Sequence, residues 1–74
     1  MDSQTQIGIA DMQCWVIRKA QEKWNMTPRE CVKIFRQYNL LEFISECYEL
    51  LHVSSYQHAL EDIEDILKRN GVVL

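Results

Sequence analysis

Two glycines and one proline are all the strong backbone punctuation in 74 residues. A chain so rarely interrupted has few places to turn, so it folds most readily as helices with short joints. Where turn-forming residues do occur, they fall at helix ends. Ile9, Met12, Val16, Ala20 and Trp24 recur at helical spacing over about Ile7–Trp24, and Asn25 offers a stop. Thr27-Pro28-Arg29-Glu30 then starts a second helix. Thr27 can cap, Pro28 has its φ preset for the first helical position, and Glu30 can reach back to the Thr27 amide. The buried stripe of this helix is expected at Val32, Phe35 and Tyr38, with Ile34 beside them.

Asn39 is expected to serve twice, ending the second helix in the left-handed conformation and, with Glu42, capping the third. The third helix, about Leu40–His52, carries a doubled apolar stripe: Leu40/Leu41, Phe43/Ile44, Cys47/Tyr48 and Leu50/Leu51. So wide a face predicts a central helix packed by two neighbours. Ser54 with Gln57 predicts a further capping box. The fourth helix then runs to about Arg69, with Tyr56, Ala59, Leu60, Ile63, Ile66 and Leu67 inward. Glu64–Lys68 and Asp65–Arg69 sit four apart in the favourable order, and Asn70-Gly71 stops the helix. No strand-like alternation competes. The reading is an all-α, compact four-helix domain with short connections, one domain over residues 1–74, with residues 1–6 loosely ordered. Phe35, Ile44, Tyr48, Leu51, Ile63 and Ile66 are its expected core.

Composition narrows function. At 47% hydrophobic, the chain can fill one small core, but so short a domain buries only about 60% of its unfolded surface, which makes association useful. A net charge of -3 gives no general attraction to nucleic acid or an anionic membrane. No run approaches the ~18 apolar residues of a membrane span, and the start of the chain has no basic or apolar leader, so a cytoplasmic location is expected. Cys14, Cys31 and Cys47 form no Cys-x-x-Cys pair, and three is an odd number. They read as reduced, buried small hydrophobes rather than a disulfide or zinc framework. No cofactor or metal site is expected. Phosphate loops, nucleophile elbows and His-Glu-x-x-His are missing, so catalysis by His52, His58 or the thiols is the weakest reading.

Two surfaces carry functional candidates. Cys14-Trp15-Val16-Ile17 puts apolar groups on every side of a helix expected at the edge of a bundle. Trp15 or Ile17 must then be partly exposed or covered, either by Ile7 and Ile9, by the Val72–Leu74 tail, or by a partner. In the partner case Gln13, Arg18, Lys19 and Gln21 form a polar rim, with Arg18 pairing with a partner carboxylate. Tyr48 and His52, four apart, are a second candidate polar pair for that interface; the plainer role is a core Tyr48 and a His52 that offsets the helix dipole. The other surface is basic. Arg29, Lys33 and Arg36 share one helix face and could hold phosphates, with Arg18, Lys19 and Lys23 nearby in sequence. Glu42, Glu46 and Glu49 on the helix that would enter a groove oppose this.

The segments Val32–Asn39, Phe43-Ile44, Cys47–His52 and Ala59–Ile63 resemble a family of small bacterial all-helical proteins known only as a domain of unknown function. The shared features are a Tyr-x-x-Leu-His motif, here Tyr48-Glu49-Leu50-Leu51-His52, and a short fourth helix with an Asp-Ile step, here Asp62-Ile63. The likeness covers about Met12–Leu67. Members of that family are often encoded beside ADP-ribosyltransferase-like toxin genes, so the resemblance implies an antitoxin, immunity or accessory role. Val53-Ser54-Ser55 replaces the Thr-Gln type of turn that usually follows the histidine, which puts partner specificity in question. The expected function is therefore a non-catalytic interaction domain, binding itself as a homodimer or a neighbouring gene's product. Nucleic-acid binding through the second helix is the alternative.

Overall fold

The computed structural model describes residues 3–74 and contains four helices: α1 (Ser3–Trp24), α2 (Pro28–Gln37), α3 (Leu40–Ser54) and α4 (Tyr56–Arg69). The all-α expectation holds, with no strand among the described residues. α1 begins at Ser3, earlier than its apolar pattern; Met1 and Asp2 lie outside the described residues. At 1.5 Å per residue its 22 residues span about 33 Å, close to the longest dimension of the molecule, 36 Å. Every other helix packs on this rod.

The joints follow local chemistry. Asn25 and Asn39 both have φ near 54°, the left-handed conformation that asparagine tolerates best after glycine. The Thr27 box is formed: the Glu30 amide donates to Thr27 Oγ1 at 3.2 Å and the Thr27 amide to Glu30 Oε2 at 3.3 Å. Asn39 turns the chain but makes no side-chain cap to α3. The next cap also differs from expectation. α3 runs through Ser54, and Ser55 caps α4, accepting from the His58 amide at 3.0 Å. Gly71, at φ 80°, closes α4.

Contact order along the chain gives the topology. Trp15 meets Tyr56 and Lys23 meets Glu64, both pairs 41 residues apart, so α1 and α4 run in the same direction. Gly8 lies under Tyr48 while Gln13 donates to the Leu41 carbonyl at 2.9 Å, so α3 runs opposite to α1. α2 crosses the far end of α1, where Phe35 meets Trp24 with ring centroids 6.1 Å apart. α1 and α3 each touch the three other helices, and α2 and α4 do not meet.

This arrangement corrects the picture of α1 as an edge helix and of α3 as having two neighbours. With helices on several sides, α1 buries Met12, Val16, Ala20 and Trp24 and half-buries Trp15 and Ile17; in the four-residue apolar run only Cys14 stays exposed. The core is completed by Cys31, Phe35, Leu40, Ile44, Leu51, Ala59, Leu60, Ile63 and Leu67. α2 is rotated from the expected face: Cys31 and Phe35 are buried, while Val32, Ile34 and Tyr38 are half-buried. The doubled stripe of α3 ends early, because Leu50 is 74% exposed. Tyr48 and Ile66, expected as core, are half-buried against it. Val72 docks on the core while Val73 is exposed.

Candidate functional site

The sequence-predicted interface residues do not form one patch. Tyr48 and His52 do come together. Their rings stack at 5.0 Å with planes 17° apart, so the His52 ring is taken up by this stack, and α3 continues two residues beyond it. The Tyr48 phenol reaches across to α1, and a Cβ on Gly8 would collide with its hydroxyl and stand 2.8 Å from Cζ. Glycine at position 8 is what lets the tyrosine lie on the helix backbone. Trp15 is covered on one edge by Tyr56, the first residue of α4, at 5.6 Å and 76°, and Lys19 Nζ lies 5.8 Å from the indole centroid.

Burial, then the Asp11 charge, then Tyr48 push the Tyr56 hydroxyl above the usual tyrosine value. Trp15, Tyr48, His52 and Tyr56 therefore border the α3–α4 end of the domain, built from α1 between Gly8 and Trp15, the end of α3 and the start of α4. Ile17 stands apart, its carbonyl accepting from the Cys31 thiol at 3.7 Å on the α2 side. Arg18 is exposed, with no ion-pair partner among the described residues.

Beyond the Tyr48–His52 stack, the outer side of α3 is covered by no helix. It carries Glu42, Glu46 and Glu49, and then Leu50 and Val53, the last two 74% and 72% exposed. Sequence reasoning missed these two because it placed Leu50 in the core and treated Val53 as a break.

Arg29, Lys33 and Arg36 are exposed on α2 as their spacing predicts. With Pro28 and Val32 they line a furrow of about 540 Å³. All five belong to one helix, so its walls are long side chains standing on open surface, not two elements closing on a cleft. Arg36 also borders a smaller groove of about 190 Å³ together with Glu42, at the corner where α2 passes into α3.

The residue that sequence reasoning most misjudged is Glu64. It was expected to pair with Lys68 along its own helix. Instead it crosses to α1, where Lys23 Nζ and Trp24 Nε1 both donate to its carboxylate at 2.9 Å. Burial pulls its pKa upward, but the hydrogen bonds from Trp24 and Lys23 and the charges of Lys23 and Lys68 outweigh that and hold it below the usual glutamate value. Only a contact 40 residues distant reveals this, and no local spacing encodes it.

The thiols split three ways, contrary to the expectation that all are buried: Cys14 is exposed, Cys47 intermediate and Cys31 buried, its pKa raised by burial. Among the described residues, no three His, Cys, Asp or Glu side chains gather where they could hold a metal. No helix there is long and apolar enough to cross a membrane.

The molecule is thus a small four-helix domain whose aromatic side chains are buried or half-buried and whose charged rows on α2 and α3 stand on open surface rather than in a cleft. The chain belongs to the family described as protein of unknown function (DUF3791), which matches residues 11–70. Both the α2 furrow and the Tyr48–His52 stack fall inside that span. No curated protein and no solved structure matches the chain.

Proposed function

We propose that the domain is a non-catalytic protein-interaction module that docks on another protein, either a second copy of itself or the product of a neighbouring gene. An antitoxin, immunity or accessory role is the finer form of the same reading. The observation that carries it is the outward side of α3, where Leu50 and Val53 stand 74% and 72% exposed, about one turn apart near the helix's C-terminal end. Fully burying such a side chain is worth about 1.5–3 kcal/mol, which the isolated domain forgoes at both positions. Adjacent exposed apolar groups with a polar rim mark contact surfaces. Glu46 and Glu49 supply the rim on one side and the stacked Tyr48 and His52 an aromatic flank.

A Leu50→Asp/Val53→Asp double variant tests this. Both side chains are outside the core, so the variant should melt close to the parent. It should also lose self-association in sedimentation, or binding to the adjacent gene's product in calorimetry. Binding that survives the double substitution unchanged would remove the reading.

Nucleic-acid binding is the second reading. It is supported by Arg29, Lys33 and Arg36, which no carboxylate pairs among the described residues. Glu42 stands against it, bordering the same groove as Arg36 and repelling a phosphate chain there. Salt-sensitive retention on duplex DNA, lost in Arg29→Glu, would favour it over docking.

A further inference from the structure

α2 and α3 carry opposite charges at identical spacing. Arg29, Lys33 and Arg36 stand at i, i+4 and i+7 of one helix, and Glu42, Glu46 and Glu49 at i, i+4 and i+7 of the next. All six are exposed, and none forms an ion pair among the described residues. With a rise of 1.5 Å per residue, each row has rungs at 0, about 6 and about 10.5 Å. Laid antiparallel, the rows agree at both ends and differ by about 1.5 Å at the middle rung, well within the reach of Lys and Glu.

Within one chain the rows cannot face each other, because both point away from the core. They meet at one corner, where Arg36 and Glu42 border the same groove and from which one row runs back along α2 and the other forward along α3. A face holding a positive row beside a matching negative row is self-complementary. A two-fold rotation sets each row against its opposite in the second copy, so every pair occurs twice.

We infer that the α2–α3 face is a homodimer interface, with Arg29, Lys33 and Arg36 of one copy opposite Glu49, Glu46 and Glu42 of the other; this rests on the interaction reading above. The antiparallel direction is chosen by the apolar groups. It brings Leu50, next to Glu49, to the Pro28–Val32 end of the furrow, where it is covered by apolar surface. The parallel direction would carry it past Gln37 instead. Exposed ion pairs are individually weak. The interface therefore depends on the set acting together and responds strongly to ionic strength.

The test uses the full chain and two charge-reversed variants. One carries Arg29→Glu, Lys33→Glu and Arg36→Glu; the other carries Glu42→Lys, Glu46→Lys and Glu49→Lys. Sedimentation should show a wild-type dimer whose Kd weakens at least about tenfold as salt rises from about 0.05 M to about 1 M and screening shortens to a few ångströms. Each variant alone should be monomeric, because both of its rows then carry one sign. An equimolar mixture should recover the dimer, since each acidic pair of rows meets a basic pair.

Circular dichroism of each variant checks its helix content, and the mixed species must sediment as a discrete dimer, which separates recovery from association of misfolded chains of opposite charge. Should a triple variant not fold, Lys33→Glu and Glu46→Lys run the same exchange at the central rung. Two folded variants that stay monomeric when mixed overturn the inference, as does a wild-type dimer indifferent to salt. A monomeric wild type that binds another protein overturns the homodimer and leaves the interaction reading standing. A monomeric wild type that binds nothing overturns both.

Discussion

The two tryptophans of α1 stand nine residues apart and mark two different ends of the molecule. Trp24 is 9% exposed, faces Phe35 and donates its indole N–H to Glu64. Lys23 closes on the same carboxylate from outside at 2.9 Å. Trp15 is half-buried, held by one edge of Tyr56 with Lys19 over its ring, and it shares its end of the domain with the Tyr48–His52 stack. The difference follows from what closes each end. The Trp24 end is sealed by α2 crossing over it and by a carboxylate brought from α4. The Trp15 end is where α3 passes into α4 through Ser55, and so short a joint leaves no chain to cover the rings. One end is used up in folding, and the other keeps side chains to spare.

The strongest way to break this contrast is to truncate the sealed side. Trp24→Ala should cost about 3–5 kcal/mol, the usual range for removing a large buried aromatic. A domain this small has only about 5–15 kcal/mol in total, so urea unfolding should show a large loss. A variant that unfolds near the parent's midpoint would mean that Trp24 is not core.

Trp15→Ala should cost about 1–2 kcal/mol, because it forfeits a half-buried surface and an aromatic pair worth about 0.5–1.5 kcal/mol. The informative quantity is the difference between the two variants in the same denaturant series. If both cost the same, the ends are equally sealed and Trp15 is ordinary core.

Glu64 sharpens the comparison through pH. Its carboxyl titrates lower in the folded chain than in the unfolded one. The unfolded state therefore takes up the proton first as acid is added. The stabilisation is fully present at neutral pH, begins to fade near the usual glutamate value of about 4.3, and is gone once the lower folded value is passed. Glu64→Gln should cost about 1 kcal/mol at neutral pH. The gap between parent and variant should close as pH falls through that window. A gap that stays constant down to acid would show that the carboxylate's charge does not hold Lys23 and Trp24.

Much of the sealed end was legible from sequence, and the open end much less so. The Thr27 box, the left-handed asparagines and the Met12–Val16–Ala20–Trp24 stripe are local features, each fixed by residues within a turn or two. Rotation about a helix axis is not local. α2 turns Cys31 fully inward and leaves Val32 half-buried because both α1 and α3 press on it, whereas the stripe expected on α2 runs through Val32, Phe35 and Tyr38. Leu50 was assigned inward because it adjoins Leu51, yet one residue around a helix is enough to leave the core. Trp15 lay beyond reach for a related reason: its cover, Tyr56, belongs to a helix that returns parallel to α1, and no spacing within α1 announces that return.

The smallest expected effect is also the most selective, because it changes no stability. Cys14 sits beside Trp15, exposed on α1. Cys31 is buried on α2, donates to the Ile17 carbonyl at 3.7 Å, and has its pKa raised by that burial. Only the thiolate reacts with alkylating reagents, so Cys31 is protected both by exclusion and by protonation. Cys47 is half-buried. Labelling of the native chain followed by peptide mass analysis should therefore proceed in the order Cys14, Cys47, Cys31. Cys31 should react only as the molecule opens, at a rate proportional to the population of the open state. Trp24→Ala should then accelerate Cys31 by a large factor, whereas Trp15→Ala should accelerate it far less, in proportion to its smaller cost. Equal acceleration by the two variants would show that the two substitutions cost the same, so that the ends are equally sealed. Labelling of Cys31 ahead of Cys47 in the parent would show that α2 does not hold the inward rotation on which the sealed end depends.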